Sequence, residues 1–365
     1  MKLSDKGDSR WFGRIARWTL MIAGVVVLVL LWLDPEDFSL AYRFVVFVAL
    51  APAVGCLIFT LIHRMTGGQW ASELAPFLLA GVSLLPWIWL LALPVLFLPP
   101  ALNRHAPSVA AAAHGYAGAP MVAMRSLFYA VVFFGLNWAV AGEVGRDSSP
   151  TQNRRPWVGP VGSLVLVFTL TLLSDDWIAS LDSGWHSTGF AFVWMTGQAV
   201  AGLSLALLGG LAAGAQPGAS GSAGRPLGID WGSLVMATLL SWCYVAFAQF
   251  LIIWAGNLPA EISWFKRRSE GWWFLVPAIL GVFSILIPFL LLLSRRYKSS
   301  SWGLAVVAVM LILGQGLYTA WLILPSAGRL SPMGGLLALA LLVAGGAVFV
   351  DRFSAAARRL GRSTR

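Results

Sequence analysis

Charged side chains are scarce in this chain: Asp, Glu, Lys and Arg make up 11% of its 365 residues, where an ordinary soluble chain carries roughly 25%. Hydrophobic residues reach 58% and the mean hydropathy is +0.78. A water-soluble enzyme is thereby excluded, and an integral membrane protein is what remains. Cysteine is as sparse, with Cys56 and Cys243 alone. Both fall in apolar stretches, where a thiol is a small packing residue, and neither CxxC nor CxxCH occurs. The four histidines, His63, His105, His114 and His186, stand between apolar stretches or near their ends. No pair of mid-membrane imidazoles is there to hold a haem, and no metal site is expected.

The centres of the apolar stretches are nearly empty of ionisable groups, each of which costs about 2.5–3.5 kcal/mol at the middle of a spanning helix. Glu73, Arg125, Glu143 and Asp351 all lie within a turn or two of a boundary, where long side chains reach back to the interface. This argues against a self-contained proton pump built on a midplane carboxylate. What lies deep is polar but neutral: Ser83, Asn137, Gln198, Ser204, Ser241, Gln249 and Gln315. Such residues are expected to tie helices together by hydrogen bonds.

A helix needs about 20 apolar residues to cross a bilayer. Ten stretches qualify: 18–33, 41–62, 75–98, 121–142, 157–174, 188–213, 231–255, 272–294, 302–324 and 333–350. Transmembrane strands would show short alternating segments instead. The reading is therefore an all-α membrane domain over 18–351, between a tail at 1–17 and a basic tail at 352–365. The stretch 214–229, AQPGASGSAGRPLGID, is a flexible linker by composition. Asp34, Pro35, Glu36 and Asp37 follow the first stretch with no small-residue cleavage site, so that stretch is read as a retained helix rather than a signal peptide.

Lys and Arg accumulate on the cytoplasmic side of a membrane protein. With ten spans both termini share a side, and that side holds 18 of the 25 basic residues. The opposite side holds six, Arg43, Arg104, Lys266, Arg267, Arg268 and Arg329, and Arg125 lies just inside the fourth segment. Both termini are therefore expected in the cytoplasm. The net charge of +10 reads as topology rather than as a nucleic-acid surface. The last arginines, from Arg352 to Arg365, are placed to meet anionic headgroups.

The ionisable residues gather in two loops on the opposite side. The first, SDDWIASLDSGWHSTGFAF at 174–192, brings Asp175, Asp176, Asp182 and His186 near Trp177 and Trp185. Carboxylates beside an imidazole can accept and pass on protons. The competing reading is a solvated loop whose tryptophans anchor at the interface and whose Ser187 or Thr188 caps the next helix. The second, in the string YVAFAQFLIIWAGNLPAEISWFKRRSEGWWF at 244–274, follows the seventh segment, which Pro259 ends or kinks. It carries Asn257, Glu261 and the run Lys266, Arg267, Arg268 among Trp254, Trp264, Trp272 and Trp273. The basic run either touches headgroups, docks an acidic partner, or pairs with the aspartates of the first loop.

Those strings, SDDWIASLDSGWHST and SWCYVAFAQFLIIWAGNLPAEISWFKRR, with TGGQW at 66–70, RSLFY at 125–129 and PFLLLLSRRYK at 288–298, resemble the second quinone-binding membrane subunit of alternative complex III, the quinol:cytochrome c oxidoreductase. That subunit belongs to the NrfD, or polysulfide reductase, superfamily. The resemblance implies two four-helix bundles, from segments two to five and six to nine, with segments one and ten outside. It implies the bacterial inner membrane, quinone or quinol as the substrate, and no bound cofactor in this chain. Partners would be a multihaem c-type cytochrome, an iron–sulfur subunit and a sister NrfD-like membrane subunit. Haem and iron–sulfur clusters would belong to those partners.

By the same resemblance, Asp176 and Trp177 match the family's Asp-Trp pair, and Ser180, Leu181, Trp185, Ser187 and Thr188 the stretch after it. Gln249, Asn257, Pro259 and Glu261 match the second signature, and Arg125 and Tyr129 match the fourth segment. Within this reading, the residues chosen for proton handling are Asp176 with Asp182 and His186. Gln249, Asn257 and Glu261 become hydrogen-bonding groups for a quinone headgroup, supported by Arg125, Tyr129, Trp177 and Trp185. The chain also departs from the family. His186 replaces an aromatic, Ala260 an acid, the arginine pair after TGGQW is missing, and GQGLYTAW stands where charged residues are usual. These departures argue against proton conduction across the bilayer by this chain. Two other readings stay open: a secondary transporter, although no inverted repeat is evident, and a purely structural anchor of a complex.

Overall fold

The computed structural model describes residues 35–71, 73–97, 119–141, 155–182, 185, 187–219, 224–257, 259–327 and 332–363. All regular structure among them is helical. Nine described helices are long and apolar enough to cross a bilayer, which makes this a multi-pass membrane protein. The first expected span, 18–33, and the segment 99–118 lie outside the described residues.

In chain order the elements are α1 (Pro35–Thr66), α2 (Ala75–Val82), α3 (Leu85–Phe97), α4 (Ala119–Ala141), α5 (Val158–Trp177), α6 (Phe190–Ala212) and α7 (Leu227–Gly256). A short helix α8 (Pro259–Arg267) follows, then α9 (Leu275–Ile279), a π-helical turn (Leu280–Leu286) and α10 (Ile287–Leu293). The single turn α11 (Arg295–Lys298), α12 (Ser301–Ile323) and α13 (Pro332–Ser363) complete the chain.

Two expected spans are interrupted, each next to a proline. A proline inside a helix lacks an N–H and its ring crowds the carbonyl four residues back. Pro86 crowds the carbonyl of Val82, the residue where α2 ends, and α3 begins after the turn at Ser83 and Leu84. Pro288 crowds the carbonyl of Ser284, and the chain there widens into the π-helical turn, with the Ile287 N–H donating to Val282 five residues back. In a bilayer such local changes of register give freed backbone groups new partners. The TGGQW string is a tight turn. Gly67 and Gly68 have φ of +66° and +101°, values that glycine alone adopts without penalty, and the Trp70 carbonyl accepts a 2.9 Å hydrogen bond from Trp231 Nε1 of α7.

The core lies along α1 and α6, whose spanning windows are 72% and 78% buried, against 17% for both α4 and α7. Association inside a bilayer depends on close van der Waals packing rather than on expelling water, and small residues supply it. Gly55 of α1 and Gly202 of α6 meet backbone to backbone, so a β-carbon on either would overlap main-chain atoms of the other helix. Beside them Cys56 Sγ contacts the Gly202 carbonyl at 3.4 Å, so Cys56 is the packing residue expected. Around this seam α1 packs on α2, α3 and α5, with α4 closing against α3 and α5. On the other side α6 packs on α7 and α12, while α10 meets α7 and the π turn meets α12. Helix α13 lies on α1 and α2.

Candidate functional site

Arg125, Ser126 and Tyr129 sit at i, i+1 and i+4 on α4, and residues one turn apart on a helix share a face. That face meets the last turn of α5. Arg125 grips Asp176 with both prongs, Nε to Oδ2 at 2.8 Å and Nη2 to Oδ1 at 2.5 Å. Tyr129 donates its hydroxyl to the same Oδ2 at 2.5 Å. The neighbouring Trp177 donates from Nε1 to Ser126 Oγ at 2.9 Å. One helix face thus satisfies two consecutive residues of another. The fork-to-carboxylate pairing is the strong form of a charge-assisted hydrogen bond, and here it is part-buried, with side-chain exposures of 12% for Arg125 and 5% for Asp176.

After α5 a single 3-10 turn (Ala179–Leu181) delivers Asp182, which is buried. It meets the basic run at the end of α8: Arg267 Nη2 lies 2.8 Å from Oδ1 and Arg268 Nη1 3.8 Å from Oδ2. Neither carboxylate oxygen accepts a directed hydrogen bond from another described residue, so attraction between charges holds this group. Arg268 spends its donors elsewhere. Nε and Nη2 bond the carbonyls of Trp321 and Leu322 at 3.1 and 2.6 Å, and Nη1 bonds the Trp264 carbonyl at 3.2 Å. Trp321 and Leu322 lie in the last turn of α12, where carbonyls have no partner inside the helix and a cation is favoured.

Arg268 also lies over the Trp264 ring, 3.8 Å from its centre, a cation–π contact. Trp185 stacks on Trp264 with centres 4.6 Å apart and planes 18° from parallel. Burial pushes the Arg268 guanidinium down to about 9, while Asp182 pulls it up, Arg267 pushes it further down, and Tyr318 pulls it up.

Of the residues singled out from sequence, Arg125, Tyr129, Asp176 and Trp177 come together in the first cluster, and Asp182 and Trp185 lie in the second. Gln249 donates from Nε2 to Ser187 Oγ at 2.9 Å, tying α7 to the first loop. Asn257 is exposed and ends α7 in the left-handed conformation, φ +46°, which asparagine tolerates. Glu261 is half-buried in the first turn of α8. His186 lies outside the described residues.

Three local expectations are corrected. Trp177 and Trp185 are not interface anchors but core residues, 4% and 1% exposed, because each has a partner in the protein: a serine hydroxyl for one, an indole ring for the other. Ser187 and Thr188 do not cap α6, whose N-cap is Gly189 without a side-chain bond. Ser187 is instead the acceptor for Gln249. Of the deep polar residues, Gln249 bonds across to another element, but several others do not knit helices together as expected. Gln198 and Ser204 are buried with side-chain polar atoms unpaired among the described residues, as are Asn137 Oδ1 and Gln315 Nε2, and Ser241 bonds back to Ala237 of its own helix.

The pairing of the basic run with a loop aspartate, one of its three readings, is what the structure contains. Trp264 as the ring between Arg268 and Trp185, and the carbonyls of Trp321 and Leu322 as acceptors for Arg268, were not foreseen. The sequence signal for them was faint: a cation run on the side poor in cations. No known protein-family model matches the chain, and no curated protein matches it significantly.

Proposed function

We propose that this chain is a quinone-associated membrane subunit of an alternative complex III-like quinol:electron-acceptor oxidoreductase. Quinol would bind near the end of the spans that carries Asp176 and Asp182, and iron–sulfur and multihaem c-type subunits would take its electrons. In this reading both termini are cytoplasmic, the aspartate end is periplasmic in a bacterial inner membrane, and the spans form the NrfD-like pair of four-helix bundles. The observation that carries the reading is the convergence of Arg125, Tyr129 and Asp176, chosen by resemblance from two separate segments, in one hydrogen-bonded cluster. Asp182, Arg267 and Arg268 at the end of α8 add a second charged cluster. The chain's own residues would bind, orient and exchange protons with the headgroup, while the redox groups stay in the partners.

The test is purification of the tagged full chain from its native membrane in mild detergent. Haem absorbance and iron–sulfur resonances should co-purify with it, and quinol:cytochrome c activity of that complex should fall about tenfold or more in Asp176→Asn, the loss expected for a group engaged in proton transfer. A chain that comes out alone and moves a solute in vesicles would establish the transporter reading instead. The specific observation on that side is the pair of interrupted spans at Ser83–Leu84 and Leu280–Leu286, since transporters build sites from broken helices. Undiminished quinol oxidation in Asp176→Asn and Glu261→Gln complexes would leave the chain as a structural anchor.

A further inference from the structure

Between α7 and α9 the chain passes over Asp182 as a separate piece. Helix α8 (Pro259–Arg267) is nine residues long, and its two flanks are built alike. Asn257 before it and Gly271 after it are left-handed, with φ of +46° and +60°, and Asn257 is the one residue other than glycine with a positive φ among the described residues. Gly256, Asn257, Ser269, Glu270 and Gly271 are all exposed. The hydrogen bonds at the two joints are long, 3.4 Å from the Asn257 N–H to the Trp254 carbonyl and 3.4 Å from the Glu270 N–H to the Arg267 carbonyl, beyond the usual range of about 2.7–3.2 Å. A few residues at the ends of an element are where hinges form, since they absorb a change in backbone angles.

One face holds the piece down. Trp264 and Arg268, one turn apart, are 3% and 1% exposed, whereas Pro259, Lys266 and Ser269 face outward. Arg268 fastens that face to the carbonyls of Trp321 and Leu322 at the end of α12, and Trp264 stacks on Trp185. Beneath lie the Asp182 side chain, 0% exposed, and the buried Trp185. Both cations paired with Asp182, Arg267 and Arg268, belong to the covering piece. Lifting it therefore removes the acid's cover and its countercharge in a single movement. Asp176 is arranged differently: Arg125 and Tyr129, which hold it, lie within the spanning helix α4.

We infer that α8 is a hinged strap that pivots at Asn257 and Gly271 and closes over Asp182 by docking Arg268 on the end of α12. Closed, it keeps the acid paired and out of contact with water. Open, it gives the acid to the medium at this end of the spans. A buried charge that loses its partner is costly, so a carboxylate freed of both arginines is stable only where water reaches it, and cover and countercharge have to leave together. The inference concerns access to Asp182 and holds whether or not a quinol is what arrives there.

Carboxyl labelling of the full chain in nanodiscs, with a water-soluble carbodiimide and an amine, tests it. In the closed structure Asp176 is the more exposed acid, at 5% against 0% for the Asp182 side chain, so a molecule fixed in that state labels Asp176 at least as fast. A strap that opens reverses the order, with Asp182 labelled about threefold or more faster than Asp176. Arg268→Lys keeps the charge but loses the fork that grips the α12 carbonyls. It should raise the Asp182 rate about tenfold and leave the Asp176 rate within about twofold of its original value. Equal rises at both acids would mean general loosening and overturn the strap. So would Asp182 labelling no faster than Asp176 in the unmodified protein, a result that stands even if the variant does not fold.

Discussion

Asp176 and Asp182 lie on either side of the same 3-10 turn, yet the protein neutralises them by different means. Asp176 meets one arginine whose fork matches its two oxygens, with a tyrosine hydroxyl completing the set. Asp182 is the more deeply buried, and it faces two arginines at 2.8 and 3.8 Å with no directed hydrogen bond to either oxygen among the described residues. The first arrangement depends on shape, so any change in donor geometry disrupts it. The second depends on charge count, so it tolerates a change of donor at its outer arginine but not the loss of the acid itself.

The largest effect should come from Asp182→Asn. It strips Arg268 of its counter-charge in a site where that side chain is 1% exposed, and breaking one half of a buried ion pair costs about 3–5 kcal/mol. Thermal unfolding in nanodiscs, read by the tryptophans, should show a large drop; a loss under about 1 kcal/mol would mean that the α12 carbonyls alone hold Arg268. Next is Asp176→Asn, at about 1.5–3 kcal/mol, the range for hydrogen bonds to charged groups. It should cost less than Asp182→Asn because Arg125 retains some access to solvent, and the reverse order would break the comparison.

Arg125→Lys should cost nearly as much as Asp176→Asn, since an ammonium is a point charge and cannot supply the fork. A fully stable Arg125→Lys protein would show that geometry is not what holds the first cluster. Tyr129→Phe removes one donor and should cost about 1.5 kcal/mol, a loss that a double-mutant cycle with Asp176→Asn should trace to the carboxylate. Smallest is Arg267→Lys, expected within about 0.5 kcal/mol, since the Arg267 side chain is 41% exposed and solvent-facing ion pairs are weak. Comparing it with Arg125→Lys sharpens the contrast between charge and shape.

Nine of the ten expected spans, the tenth lying outside the described residues, and the concentration of ionisable residues in two loops were legible from sequence, because hydropathy and charge are properties of windows. Which side chains meet was much less so. Arg125 and Asp176 lie on consecutive segments 51 residues apart, and spanning helices that are apolar on every side give no periodic signal to say which face turns inward. The resemblance named the members of the first cluster without showing that they touch. Trp177 and Trp185 were misread for a related reason: a tryptophan at a helix end looks the same in sequence whether its indole N–H meets lipid headgroups or, as for Trp177, a serine on the next helix. The interruption at Pro288 could be located, but its outcome, a wide turn rather than a kink, depends on which register gives the freed carbonyl a new donor.

The contact of Gly55 with Gly202 sets how closely α1 and α6 approach. Where main chain lies directly on main chain, no side chain is available to bend, rotate or fill a gap as the helices shift. The crossing therefore fixes the spacing of the two helices by main chain alone, and even one added methyl group there would pry them apart.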